Sequence, residues 1–307
     1  MVELRTASLA DEPAIVELVN RNQPWRPYPL TIDALRHGHA TVPPDRPDIE
    51  VVATDGLRLI GWGWLRDLGW PIGALSMSLD VAQDRRREGV GTRLLAALST
   101  PALGMADEIA TRVAEESESG VAFARSQRFV ERYRLYEFVL DLEGDGDPGP
   151  PSTHLEGTQV ELTTLSARAS QELRRGAYRL FVETVADVPT PDPVPAMSYE
   201  RWEAEVFGHS AGEEVIVLAT HYQHPVALCH LSVSGKVAWN VYTCVSEAYR
   251  RTGLALAVKR EGIRLARQRA VRFIRTENDT LNLGMIAINE RLGFRRRPGR
   301  IRFGRPL

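Results

Sequence analysis

Tyr249-Arg250-Arg251-Thr252-Gly253-Leu254-Ala255 decides how this chain is read, because a loop of the same design occurs earlier as Arg85-Arg86-Arg87-Glu88-Gly89-Val90-Gly91, with Arg86 standing 164 residues before Arg250. In each copy an arginine is followed three positions later by glycine and five positions later by glycine or alanine, after an apolar run and just before a helical pattern. Small residues at the opening of a helix leave its first backbone N–H groups accessible, and the helix dipole reinforces them. Such a loop suits an anion, a phosphate above all.

Outward from the loops, the repetition continues. Val2-Glu3-Leu4-Arg5-Thr6-Ala7-Ser8 echoes Val160-Glu161-Leu162-Thr163-Thr164-Leu165-Ser166 at an offset of 158, and Phe129 with Tyr136-Glu137-Phe138 echoes Phe294 with Ile301-Arg302-Phe303 at an offset of 165. Three landmarks that keep their order and nearly their spacing predict a duplicated domain. Between the copies, Glu143-Gly144-Asp145-Gly146-Asp147-Pro148-Gly149-Pro150-Pro151 is rich in turn formers and reads as a linker. The expected division is 1–147 and 158–307, joined by 148–157.

A length of 307 residues accommodates two such domains, each with its own core. A charged fraction of 25% and a net charge of −2 give no overall bias toward nucleic acid or membrane, so any anion site must be local. Cys229 and Cys244 supply neither a disulfide framework nor zinc spacing; they read as two buried thiols in a reducing cytoplasm, and no metal site is expected. Met1-Val2-Glu3-Leu4-Arg5 lacks a basic-then-apolar leader, and no apolar run approaches the roughly 20 residues of a membrane span, so a cytoplasmic protein without a membrane partner is expected.

Periodicity predicts strands at 159–165, 213–220, 225–234, 236–245 and 272–277 in the second half, with helices at 170–184, 199–207, from Leu254 onward, and at 283–292. The segment 188–195 carries four prolines and reads as a stiff loop. In the first half, strands are expected at 50–54, 57–65 and 74–81, and a helix at 92–98. A dinucleotide-binding fingerprint would share Gly89-Val90-Gly91, but Leu94 stands where its third glycine belongs.

A strand, an Arg-x-x-Gly-x-Gly/Ala loop opening a helix, another strand, and a helix ending in Gly293-Phe294 resemble the GCN5-related N-acetyltransferase (GNAT) family. The resemblance implies an α/β fold of two tandem GNAT-like domains, each a mixed, largely antiparallel twisted sheet flanked by helices. It also implies acetyl-CoA as cosubstrate. Backbone groups of Thr243 and Val245 are then expected along the pantetheine arm, Arg250, Arg251, Gly253, Leu254 and Ala255 around the diphosphate, and Lys259 as a further cation. Asn282, eleven residues before Gly293, is expected against the cofactor arm, and Arg86, Gly89 and Gly91 form the corresponding first loop.

Four residues before the same glycine, many members of that family have a tyrosine that protonates the departing thiolate; here the residue is Asn289, which can donate a hydrogen bond but not act as an acid. Tyr242 is a candidate substitute. The candidate bases are Glu277, Glu183, Asp187 and His230, and a strand N–H near Val245 is the implied oxyanion donor. The first half has Arg128, Ser117 and Ala124 at the positions matching Gly293, Asn282 and Asn289, so catalysis is expected in the second half.

The resulting expectation is an N-acetyltransferase that moves acetyl from acetyl-CoA to a primary amine of a small molecule by direct attack on the thioester. Asp187 and Asp192 suit a cationic acceptor. The alternatives are a non-catalytic acyl-CoA-binding or sensing protein, consistent with Asn289 and Ala124, and a structural or nucleic-acid-associated protein using Arg295-Arg296-Arg297, a run too short to make nucleic acid an expected partner. The chain is compatible with a monomer or a homodimer.

Overall fold

The structure, a computed structural model, describes residues 2–24, 29–40, 42, 45–144, 149, 160–192, 194–195, 197–208 and 213–307. Of the expected linker at 148–157, all but Gly149 lies outside the described residues. In chain order the first half folds as β1 (Val2–Thr6), α1 (Glu12–Asn22), α2 (Ile32–Ala40), β2 (Asp48–Asp55), β3 (Arg58–Arg66), β4 (Ala74–Val81), α3 (Val90–Ser99), β5 (Glu108–Ala114), α4 (Glu118–Ser126) and β6 (Val130–Asp141). The second half follows as β7 (Val160–Leu165), α5 (Gln171–Val185), α6 (Tyr199–Phe207), β8 (Glu213–His221), β9 (His224–Ser234), β10 (Val237–Val245), α7 (Leu254–Gln268), β11 (Phe273–Asp279), α8 (Leu283–Arg291) and β12 (Arg295–Pro306).

Two compact units result, but they are not the two contiguous halves. One contains the chain up to Arg134 together with Arg300–Leu307, and the other contains Leu135–Gly299. The reason is strand pairing. In the second unit β6 pairs antiparallel with β11, from Leu135↔Asp279 to Asp141↔Phe273, and in the first unit β12 pairs with β5, from Arg300↔Ala114 to Pro306↔Glu108. Each half thus ends in a strand that completes the other unit's sheet. Phe138 and Phe303, matching positions of the repeat, are both fully buried in the units they join. Because the two terminal strands are diverged copies, each has the apolar alternation that the other sheet's edge requires.

The strand order is β1-β2-β3-β4-β5-β12 in the first unit and β7-β8-β9-β10-β11-β6 in the second. All described pairings are antiparallel except β4 with β5 and β10 with β11. Alternation along the strands sorts the second unit into two layers. Val217, Cys229 and Leu231 pack toward α7, whose Leu254, Val258, Ile263 and Ala266 recur at helical spacing. Ile216, Leu218, Leu228 and Cys244 pack on the opposite face with Ala177 and Leu180 of α5 and Trp202 of α6. Among the described residues, no helix is long and apolar enough to cross a membrane.

Candidate active site

The parallel ladder of β10 with β11 runs from Val237↔Phe273 to Trp239↔Arg275 and ends there. Both strands continue: β10 reaches Val245 paired with β9, and β11 reaches Asp279 paired with β6. Beyond Asn240 one edge of β10 therefore faces an opening rather than a neighbouring strand, and an extended amide chain can lie along such an edge. The opening starts at a β-bulge. Asn240 is opposite Leu231 and Tyr242 is opposite His230, which leaves Val241 as the extra residue.

A buried polar network closes this bulge. Asn240 Nδ2 donates to the main-chain oxygens of His230 at 2.9 Å and Tyr242 at 3.1 Å, and Asn240 Oδ1 accepts from Thr243 Oγ1 at 3.2 Å and from Lys259 Nζ. Thr276 Oγ1 of β11 donates to the Asn240 main-chain oxygen at 3.1 Å, just where the two strands part. The expectation that Lys259 adds charge near the phosphates is therefore corrected. Its side chain points into the core, 5.3 Å from the centre of the Phe294 ring, and burial pushes its ammonium pKa down to about 8.

At the end of β10 a short turn over Glu247–Tyr249 leads into the loop. Arg250 is extended at φ −66° and ψ 152°, Arg251 is left-handed at φ 64°, and Gly253, at φ 89°, caps α7 with no side-chain hydrogen bond to the helix. The first unit repeats the conformation: Arg86 at φ −73° and ψ 154°, Arg87 at φ 70°, and Gly89 at φ 79° as the uncapped start of α3. In both loops a left-handed arginine precedes the glycine that starts the helix, and the first-turn amides of α7, those of Leu254 and Ala255 among them, have no capping side chain to accept from them. A Cβ at Gly253 or Gly89 would meet nothing within 4 Å, so glycine is required there by its positive φ; at Gly91 a Cβ would lie 3.1 Å from the Phe123 ring, and that glycine serves packing.

Arg250 serves as a tie. Its Nε donates to the Val245 main-chain oxygen at 3.3 Å and its Nη2 to Asp187 Oδ2 at 2.5 Å. Glu183 accepts from Ser246 Oγ at 2.7 Å and from the Glu247 N–H at 3.2 Å. Two of the expected bases are thus engaged in holding the loop against α5, while Arg251 projects into solvent.

On the α5 and α6 face, the extra residue at Val241 turns Tyr242 inward. Its hydroxyl lies 3.0 Å from Thr184 Oγ1 and its ring meets Phe181 edge-on at 5.5 Å. Burial pushes the phenol well above its ordinary pKa, so at neutral pH it keeps its proton: a hydrogen-bond donor and a weak acid. His230, directly opposite on β9 and 8% exposed, contacts Glu214 Oε2 through Nε2 at 2.5 Å, and Glu214 Oε1 accepts from Ser232 Oγ at 2.9 Å. Glu277 is half-buried on β11 opposite Glu137, which accepts from Arg275 Nε at 2.5 Å. Ile274 packs toward α7, so alternation puts Glu277 on the Tyr242 face.

Two expected contacts have other duties. Asn282 caps α8, its Oδ1 accepting from the Met285 N–H at 3.2 Å, as the matching Ser117 caps α4 by accepting from the Gly120 N–H at 3.3 Å. Asn289 is 0% exposed and its Nδ2 donates to Asn278 Oδ1 at 2.7 Å. As it stands, Asn289 offers no donor to a thiolate. Cys244 and Cys229 are buried, and burial pushes the Cys244 thiol up to about 12.

The first unit has its own opening: β4 and β5 pair in parallel only from Ala74↔Glu108 to Met77↔Thr111, while β4 runs on to Val81.

Residues 174–294 match the model of the Acetyltransferase (GNAT) family, a span that takes in the β10–β11 opening, the second loop and α8. No curated protein matches the sequence. Among solved structures, the chain is similar to a tandem GNAT protein from the clavulanic acid biosynthesis pathway, with a TM-score of 0.79 and 21% identity over 100% of this chain and 98% of that one. It is also similar to a GCN5-related N-acetyltransferase from Sphaerobacter thermophilus, with a TM-score of 0.75 and 17% identity over 99% and 95% of the two chains. A third similarity is to the glucosamine N-acetyltransferase region of a fungal multi-domain GH3 β-N-acetylglucosaminidase, with a TM-score of 0.70 and 14% identity over 99% of this chain and 38% of that one. At these identities the likeness is one of fold, and it extends over both units.

Proposed function

We propose that this chain, a tandem member of the acetyltransferase (GNAT) family and hence an acyl-CoA-dependent N-acyltransferase, moves an acetyl group from acetyl-CoA to a primary amine of a small molecule in its second unit. The observation that carries the reading is the coincidence of the β10–β11 opening with the uncapped N-terminus of α7. A pantetheine arm is an extended diamide that needs strand-edge hydrogen bonds, here along Thr243 to Val245, and its diphosphate needs the accessible amides of Gly253, Leu254 and Ala255.

An alkylammonium with a pKa near 10.4 has no lone pair, so it must lose a proton before attack. The amine nitrogen then bonds to the thioester carbon, the oxyanion is held by a main-chain N–H near Val245, and the C–S bond breaks with its electron pair on sulfur. The Tyr242 phenol, being protonated, stabilises the developing thiolate by donating a hydrogen bond; its raised pKa argues against complete proton transfer. Glu183, Asp187 and Glu277 give this side of the unit a negative field that favours a cationic acceptor.

Calorimetric titration of acetyl-CoA into the wild type and into Gly253→Glu tests the reading. A binding event lost in the variant, with thiol release in the wild type when primary amines are supplied, is the expected result. Unchanged binding in the variant overturns the placement in the second unit; binding without thiol release for any amine would make the protein a non-catalytic acyl-CoA binder.

A further inference from the structure

On the α5 and α6 face of the second unit, three adjacent strands align Ile216, His230 and Tyr242 in one row and Glu214, Ser232 and Trp239 in the next. Directly opposed side chains of this kind have Cβ atoms about 5 Å apart. Both oxygens of Glu214 are occupied, one by His230 Nε2 and one by Ser232 Oγ, so the carboxylate is fixed and the imidazole is fixed by it. A ring nitrogen facing a carboxylate carries the hydrogen, which leaves the lone pair on Nδ1. The His230 imidazole has no further hydrogen-bond partner among the described residues, and the bulge that turns Tyr242 toward it also begins the β10–β11 opening.

We infer that His230, oriented by Glu214 and Ser232, is the base that removes the proton from the acceptor nitrogen, an inference that rests on the acetyl-transfer reading above. Among the acidic candidates, Glu183 and Asp187 are held by the loop, and Glu277 stands beside the Glu137–Arg275 pair. The titratable groups facing His230 are Glu214 from β8 and Tyr242 from β10. An ammonium loses one proton to water before attack. As the C–N bond forms, the second passes from nitrogen to His230 Nδ1, with Glu214 stabilising the imidazolium. The C–S bond breaks, and the proton passes to the departing sulfur, leaving an amide, a thiol and neutral His230. Glu214 and Ser232 are positioning residues in this scheme.

The test is thiol release from acetyl-CoA by the full chain, with a panel of an amino sugar, a polyamine and an arylethylamine, in wild type, His230→Gln and Glu214→Gln, beside calorimetric acetyl-CoA titrations. With the amine that the wild type turns over, His230→Gln is expected to lower kcat by about 10²-fold or more while the acetyl-CoA Kd stays within about twofold. Glu214→Gln is expected to lower kcat as well, by less than His230→Gln, again with the acetyl-CoA Kd within about twofold. A Glu214→Gln variant with wild-type kcat overturns the assignment even if His230→Gln fails to fold, and so does a His230→Gln variant with wild-type kcat; either leaves acetyl transfer standing. Wild-type protein that binds acetyl-CoA but releases no thiol with any of the amines overturns the transfer reading and the base assignment together.

Discussion

Arg250 Nε donates to the main-chain oxygen of Val245 at 3.3 Å, tying the end of a strand to the loop that follows it. The first unit repeats the bond, Arg86 Nε to the Val81 oxygen at 3.2 Å, across the same five-residue interval. The motif's arginine thus shapes the loop through its geometry as much as its charge. Lysine keeps the charge but lacks the fork that reaches Val245 and Asp187 together. Arg250→Lys should raise the KM for acetyl-CoA about tenfold, the factor equivalent to about 1.4 kcal/mol, with kcat nearly unchanged. Steady-state thiol release over a range of acetyl-CoA concentrations checks this, and an unchanged KM would remove the tie from the binding argument.

At Gly253 the backbone and not the surrounding space forbids a side chain, since φ is 89° and a Cβ would meet nothing. Gly253→Ala should therefore cost about 1–2 kcal/mol through left-handed strain, and Gly253→Asn less, because asparagine tolerates that region. Urea midpoints of the two variants give the comparison; equal losses would point to a steric cause.

Asn240 satisfies the bulge through side-chain hydrogen bonds to two main-chain oxygens, Thr243 and Lys259. Asn240→Ala leaves two main-chain oxygens and the Lys259 ammonium short of a buried partner. A loss of about 2–4 kcal/mol is expected, built from about 1–3 kcal/mol per unsatisfied buried group with partial relaxation. Activity should fall with stability, because the opening begins at this bulge. Denaturant unfolding together with thiol release would expose the error if Asn240→Ala proved as stable and as active as the wild type.

Lys259 gives a pH-dependent prediction with a definite sign. Its pKa is depressed in the fold from 10.5 to about 8, so the folded protein binds the proton less tightly than the unfolded chain. The resulting penalty is fully present below pH 8 and fades as pH rises toward 10.5, amounting to about 3 kcal/mol at 1.36 kcal/mol per pKa unit. Lys259→Met removes it. Relative to this variant, the wild type should gain about 3 kcal/mol of stability between pH 7.5 and 10.5. Unfolding free energies at a series of pH values provide the check, and a difference that stays constant with pH would contradict it.

Much of the second unit was legible before folding. The strands at β8, β9 and β10 and the helix α6 stand within a residue of their predicted limits, because alternation and helical spacing are local properties. In the first half α4 buries only Ala124, too weak a pattern to be read from sequence. At the site, both loops open helices, as expected, and those helices have no side-chain N-cap. Asn282 is at a helix start as its spacing requires, but its side-chain oxygen caps that helix. The inward turn of Lys259 and the enclosure of Asn289 depend on which face of a helix meets which sheet, something their flanking residues do not reveal.

By itself, the sequence determined that a glycine-punctuated loop opening a helix is present twice, and with it the duplicated α/β fold. Those features follow from backbone freedom at glycine and from the unpaired amides of a helix start, both decided within a few residues. Only the tertiary structure decided that β6 completes the second unit and residues 300–306 of β12 the first, and that Val241 bulges so that Tyr242 meets His230 beside Glu214. Strand pairing and register join residues far apart in the chain, and a shift of one position moves a side chain to the other face of the sheet.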